Sequence, residues 1–247
     1  MTLSERARDA AVSAGQVLMS GFEWWLLRSS AVPTTPFLDR ADFPWAQRLE
    51  EGWHDIRAEL DEVLARREDL PNFQDILRDV APISRDDKWK TFIFTAYGYR
   101  SEANCARCPK TAALVGQIPG LVTAFYSILA PRKRIPPHRG PYRGVIRCHL
   151  GLKVPDPPEA CGIRVGGQVG HWREGETMFF DDGYEHSAWN DTDDTRVVLF
   201  IDVIRPLRGP AAAVNRALLK AISASPFLRD ARRRHEAWER RFERLAR

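Results

Sequence analysis

Apolar and polar positions change their spacing twice along this 247-residue chain. Residues 3 to 27 read as helical and end in an unusually apolar run, Gly21-Phe22-Glu23-Trp24-Trp25-Leu26-Leu27. A loop punctuated by Pro33 and Pro36 follows. From Asp42 to about Ala65, Phe43, Leu49, Trp53, Ile56, Leu60 and Leu64 recur at helical intervals, which predicts an amphipathic helix packed on a core. Near Trp89 the pattern shifts to short apolar runs: Lys90 to Tyr97, Leu121 to Leu129, Gly144 to Leu152, Gly162 to Val165, Glu176 to Asp181 and Arg196 to Ile204. Separated by Pro, Gly and Asp turns, these predict an antiparallel sandwich or barrel. Helical spacing returns after Pro210. The expectation is a single domain: a helical N-terminal wrap (1–88), a β core (89–207) and a C-terminal helical segment (208–247).

Composition sharpens this in three places. The net charge of +4 is concentrated at the end of the chain, where residues 228 to 247 hold eight Arg against four acids. A neutral body argues against nucleic acid as a partner. In that tail Trp238, Phe242 and Leu245 form an apolar stripe on an Arg-rich helix, read as the solvated back of a docked or dimer-forming helix. The uncharged run from Thr111 to Pro131 has Gly116, Pro119 and Gly120 in its middle, so it predicts a short helix, a turn and a buried strand and not a membrane span. Four Cys with no export signal at the N-terminus suggest the reducing cytoplasm. The pair Cys105 and Cys108 lacks the second close pair of a zinc ribbon and reads as packing thiols or a local redox pair.

Candidate chemistry lies in the β core. Strand alternation puts Arg147 and His149 on one face, with Ile146, Cys148 and Leu150 on the opposite, core face. A cation inside a barrel-like sheet is costly unless an anion meets it, and the same holds for Arg196 at the head of an apolar strand. Taken alone, each Arg reads as half of a structural ion pair. Two further histidines have unusual surroundings: His138 in the rigid turn Ile135-Pro136-Pro137-His138-Arg139-Gly140-Pro141, and His186 at the end of a strand. Two His followed at close range by Arg is the order of a non-haem iron site with an anchor for a keto acid. Asp181 and Asp182 precede a Gly-Tyr turn and read as turn residues.

These motifs resemble the aspartyl/asparaginyl β-hydroxylase family of iron(II)- and 2-oxoglutarate-dependent oxygenases, which includes bacterial lipid A acyl-chain hydroxylases. The resemblance spans roughly Trp89 to Leu207. It runs through Cys108-Pro109-Lys110-Thr111, Ser127 to Pro131, Pro137 to Pro141, Ile146 to Leu152, Cys161 to Arg164, Trp172 to Glu176, Phe180 to His186, Trp189-Asn190-Asp191 and Asp202 to Leu207. The segment from Ala31 to Trp53 looks more like the lipid-hydroxylase branch. The resemblance implies a mainly β fold with flanking helices, built on a double-stranded β-helix (jelly-roll, cupin-like) core. It implies that His138 and His186 bind Fe(II) and are catalytic, and that Ser127, Arg147, His149 and Arg196 hold 2-oxoglutarate for a reaction with O2.

Many such enzymes place an acid two residues after the first His; this chain has Gly140 there, as the animal aspartyl/asparaginyl enzyme does by resemblance. The expected reaction is therefore hydroxylation of the β-carbon of an aspartyl, asparaginyl or related residue. The alternatives are hydroxylation of a lipid acyl chain at a membrane surface, halogenation through the open position at Gly140, and a non-catalytic binding role. The substrate is expected to be a small molecule, peptide or lipid. For a lipid substrate the enzyme is peripheral to the inner membrane, with Trp24-Trp25-Leu26-Leu27 as its interfacial anchor.

Overall fold

A computed structural model describes residues 21–244; the helical reading for residues 3–20 and the position of Leu245 lie outside them. The described strands form two antiparallel sheets. The larger runs in the order β1-β9-β6-β11-β4-β2-β3 and the smaller in the order β5-β10-β7-β8. Here β1 is Phe37–Leu38, β2 Trp89–Ala96, β3 Tyr99–Arg100, β4 Leu121–Leu129, β5 Lys133–His138, β6 Val145–Lys153, β7 Cys161–Val165, β8 Gln168–Gly170, β9 Thr177–Phe180, β10 His186–Asn190 and β11 Arg196–Ile204. From β4 onward the chain passes repeatedly between the sheets, giving β4-β11-β6-β9 facing β5-β10-β7-β8. That is a jelly roll, the double-stranded β-helix.

Central β11 shows why the runs are so apolar. Val197, Leu199, Ile201 and Val203 enter the main core under the helices, whereas Val198 and Phe200 enter clusters on the face turned toward the smaller sheet. A strand covered on both faces needs apolar residues at nearly every position. The exceptions, Arg196 and Asp202, share the inner face with Val198 and Phe200, so polarity there marks the site.

The main core is closed by α2 (Ala46–Glu51), α3 (Trp53–Leu64), α5 (Glu102–Arg107) and α6 (Pro109–Val115), which bury Leu49, Ile56, Leu60, Cys105, Cys108 and Val115 against the sheet. Amphipathic spacing predicts one helix from Asp42 to Ala65, but the structure breaks it at Gly52 (φ −92°, ψ 4°), into α2 and α3. A Cβ at that position would lie 2.6 Å from Leu114 Cδ1, so glycine there gives α6 its close approach. The 111–131 run is α6, a turn and β4, as its Gly and Pro positions indicated. The long C-terminal helix α8 (Pro226–Arg244) docks its stripe: Phe242 is buried in the main core, beneath the guanidinium groups of Arg66 and Arg107. All four cysteines are buried free thiols, and burial pushes Cys108 up to about 12, so neither Cys105 nor Cys108 is poised to react.

Five strands, β1, β3, β5, β8 and β10, lie outside the predicted runs, and two of them carry the candidate histidines. Residues 133–138 read as a rigid turn because of Pro136 and Pro137, yet they form β5 at the edge of the smaller sheet, where a missing N–H costs no ladder bond. His186 begins β10 instead of ending a strand.

Candidate functional site: a two-histidine centre beside a buried arginine

β5 and β10 pair with His138 directly opposite His186, and the ring centroids are 4.1 Å apart. Each ring is held by its own backbone: Nδ1 of His138 lies 2.9 Å from the Pro136 carbonyl oxygen and Nδ1 of His186 lies 3.0 Å from that of Tyr184. A carbonyl only accepts, so each Nδ1 carries the proton and each Nε2 presents a lone pair. Burial first, then the Arg147 charge and His138, depress His186 to about 3, and burial depresses His138 as well. Both rings are therefore neutral at ordinary pH, the form that ligates a metal.

Asp182 lies in the turn that its Gly-Tyr neighbours indicate, but the tertiary fold buries it: its carboxylate lies 2.9 Å from Arg147, and burial lifts it to about 6. Its oxygens also fill the space above Gly140, where a Cβ would fall 2.1 Å from Oδ2. Asp181 is equally buried and joins Arg143 and Arg205, each at 2.6 Å.

Arg147 and Arg196 divide sharply. Arg147 sits between two acids, 2.9 Å from Asp202 as well as from Asp182, over the face of Phe200. Its charge is satisfied within the protein, so the argument that it requires an external anion does not hold. Arg196 is 2% exposed and makes no ion pair among the described residues. Its contacts are a long bond of 3.4 Å to the Ser127 carbonyl, the Cys161 thiol, and the indole of Trp172, with Cζ 4.5 Å from the ring centroid. Burial lowers its pKa to about 10. A cation–π contact of roughly 2 kcal/mol does not offset the several kcal/mol, in order of magnitude, that desolvating a guanidinium costs.

Around Arg196 lie other unused polar atoms. Arg196 Nε, Trp172 Nε1 and both ring nitrogens of His149 are buried without a hydrogen-bond partner. Trp172 and His149 are 5.9 Å apart, and Phe180 stands between His149 (4.9 Å) and His186 (6.1 Å). Burial and the Arg196 and Arg147 charges hold His149 well below its usual range, so it is neutral. Ser127 Oγ accepts the Trp89 indole N–H at 3.0 Å and keeps its own proton to give. These atoms form a pocket of donors, one aromatic ring away from the histidine pair. Trp172 and Phe180, which sequence reasoning did not single out, bind it together; their signal was only that they fall within the motif runs. Trp172 also lines an open cavity of about 380 Å³ shared with Phe37 and Met178.

Fold and site together define a jelly-roll protein with a pair of neutral histidines and an adjoining pocket of unpaired donors. The profile described as Aspartyl/Asparaginyl beta-hydroxylase matches residues 50–206, and the chain belongs to that family of hydroxylases. It is 50% identical over 216 residues to the ornithine lipid ester-linked acyl 2-hydroxylase of Rhizobium tropici, covering 87% of this chain and 77% of that one. It is 32% identical over 163 residues to human aspartyl/asparaginyl beta-hydroxylase, covering 64% of this chain but 21% of the human one. Mouse aspartate beta-hydroxylase domain-containing protein 2 is 32% identical over 197 residues, covering 76% and 55%. Among solved structures the cupin domain of Schizosaccharomyces pombe Cnp3 aligns with 50% of this chain and 70% of its own, at 10% identity and a TM-score of 0.33.

Proposed function

We propose that this hydroxylase depends on iron(II) and 2-oxoglutarate and that it hydroxylates an ester-linked acyl chain of an amino-acid-containing lipid. The observation that carries the reaction class is the pairing of two neutral, backbone-oriented histidines with a buried arginine that lacks an acid. The residues fit both groups: two neutral histidines with ring centroids 4.1 Å apart leave two Nε2 lone pairs for a divalent metal, and the orphaned donors around Arg196 match an anion. When bound, iron(II) and 2-oxoglutarate activate dioxygen so that one oxygen atom enters a C–H bond and the other enters succinate as carbon dioxide is lost.

The protein's work is positioning and exclusion of water. Arg196 holds the far carboxylate of 2-oxoglutarate and gains the charge partner that it otherwise lacks. Ser127 donates its hydroxyl proton to the same anion, and His149, neutral, donates one ring N–H. Phe180 and Trp172 keep water out of the space between the anion pocket and the histidines. Arg147, locked to Asp202 and Asp182, fixes the Asp182 carboxylate, whose backbone carbonyl accepts the Gly140 N–H.

The substrate class rests on the acyl hydroxylase relative, at 50% identity over most of the chain, and on the apolar character of the inner face beyond Arg147. There Phe200 stacks on Phe125 at 4.2 Å, and Ile76 and Ile93 join the cluster. A second reading, β-carbon hydroxylation of an aspartyl or asparaginyl residue, is favoured by Gly140. Incubation with iron(II), 2-oxoglutarate and either ornithine lipid or an aspartyl peptide separates them by mass spectrometry. The proposal expects succinate release coupled to one added oxygen in the ester-linked acyl chain; oxygen added to the peptide alone would overturn it.

A further inference from the structure

The apolar run at Trp24 was expected either to pack on the core or to anchor the chain to a membrane. The structure divides it. Helix α1 (residues 21–28) buries Leu26 against Leu219 of α7 (Pro210–Ser223), and Phe22 stacks on Tyr142 at a centroid distance of 6.5 Å. On the opposite side Trp24 is 62% exposed, with the Arg28 guanidinium 5.1 Å over its ring. So the indole is presented outward by a helix whose other face is fixed.

The neighbouring helix continues this surface. Along α7 the outward positions are Ala213, Val214, Ala217 and Ala221, with Val214 41% exposed, and they alternate with exposed Arg216 and Lys220. The whole of α7, Pro210–Ser223, contains no acidic residue, and exposed Arg208 lies just before it. A tryptophan, small apolar side chains and basic residues on one rigid face are the chemistry of an interfacial surface: the rings and methyls enter the headgroup boundary while Arg and Lys extend to phosphates.

Its position connects it with the site. Tyr142 of this cluster lies four residues beyond His138, and its hydroxyl bonds Asn215 of α7 at 2.6 Å. Tyr97, also packed against the cluster, is within electrostatic range of Asp202, Arg147 and Asp182. The face thus borders the loop that leaves the metal-ligand strand.

We infer that the joint face of α1 and α7, with Trp24 and Val214 as apolar contacts and Arg28, Arg208, Arg216 and Lys220 as headgroup contacts, docks the enzyme on an anionic phospholipid bilayer. The occupant is a bilayer because, among the described residues of this face, four cations are matched by the single half-buried acid Glu23, and because the choice rests on the acyl-lipid reading above, whose substrate resides there.

The test is co-sedimentation of the full chain with phosphatidylcholine vesicles with and without phosphatidylglycerol. Binding is expected only to the anionic vesicles, to fall with added salt, and to weaken by at least about tenfold in Arg216→Glu with Lys220→Glu and again in Trp24→Ser. All three positions are exposed, so circular dichroism should confirm an unchanged fold. Equal binding by wild type and variants, or none to either vesicle, overturns the inference. So does a dimer in sedimentation velocity that Trp24→Ser dissociates, because a second copy would then cover the face. Vesicle binding that follows these variants while only the peptide is hydroxylated would keep the docking face and refute the substrate reading, so the two failures are distinct.

Discussion

The carboxylate of Asp182 occupies the space that a side chain at position 140 would fill: a Cβ on Gly140 would sit 2.1 Å from Asp182 Oδ2 and 2.5 Å from Cγ. Asp182 cannot withdraw freely, since it is buried and ion-paired with Arg147, and its carbonyl accepts the Gly140 N–H at 2.8 Å. Gly140 is thus required by packing, and an acid restored two residues after His138 has no room. Gly140→Ala should lower stability by about 1 to 3 kcal/mol. In the double variant with Asp182→Gly the clash disappears, and urea denaturation should show coupling of at least about 1 kcal/mol between the two positions. Additive losses would mean that the two residues do not compete for this space.

The two site arginines should behave oppositely on removal of charge. Arg147→Met leaves Asp182 and Asp202 buried without their cation and should cost about 3 to 5 kcal/mol in urea denaturation. Arg196→Met removes a buried charge that has no acid partner and should leave the ligand-free protein as stable as wild type or more so. The same variant should raise the KM for 2-oxoglutarate by about 10- to 100-fold, the value of a charge-assisted hydrogen bond. An Arg196→Met protein with unchanged KM would remove Arg196 from the co-substrate pocket.

His235 gives the pH dependence a definite sign. It is 1% exposed in α8, 3.2 Å from the Tyr99 hydroxyl, and burial lowers it to about 4. Its folded value lies below the unfolded value of about 6.5, so between those limits the unfolded chain binds the extra proton. Its effect on stability is absent above about pH 6.5 and grows as pH falls toward 4, reaching about 2 kcal/mol at pH 5. Denaturation of wild type and His235→Gln at pH 7 and pH 5 checks this: the variant should lose less stability on acidification. Asp182, lifted to about 6, works in the opposite direction between about 4 and 6 and is common to both proteins.

Much of this architecture was legible in the chain. The runs at Leu121–Leu129 and Arg196–Ile204 are central strands apolar on both faces, and period-two alternation correctly assigned Ile146, Cys148 and Leu150 to the core and Arg147 and His149 to the inner face. Edge strand β5 was hidden because Pro136 and Pro137 mimic a turn, and the break at Gly52 was hidden because the apolar spacing continues through it. At the site, residue type alone could not show that Arg147 is neutralised and Arg196 is not. That difference depends on Asp202, directly across the ladder from Arg147, and on Asp182 from another strand end. Asp182 was legible as a turn residue but not as a buried partner of Arg147, because burial is a tertiary property.

Anaerobic addition of iron(II) to the protein with 2-oxoglutarate tests the two-histidine centre through its visible charge-transfer absorption. Wild type should develop the band with one iron per chain, His138→Ala and His186→Ala should not, and Arg196→Met should need far more 2-oxoglutarate to reach it. No band in wild type, or an undiminished band in His186→Ala, would contradict the assignment of metal and co-substrate to these residues.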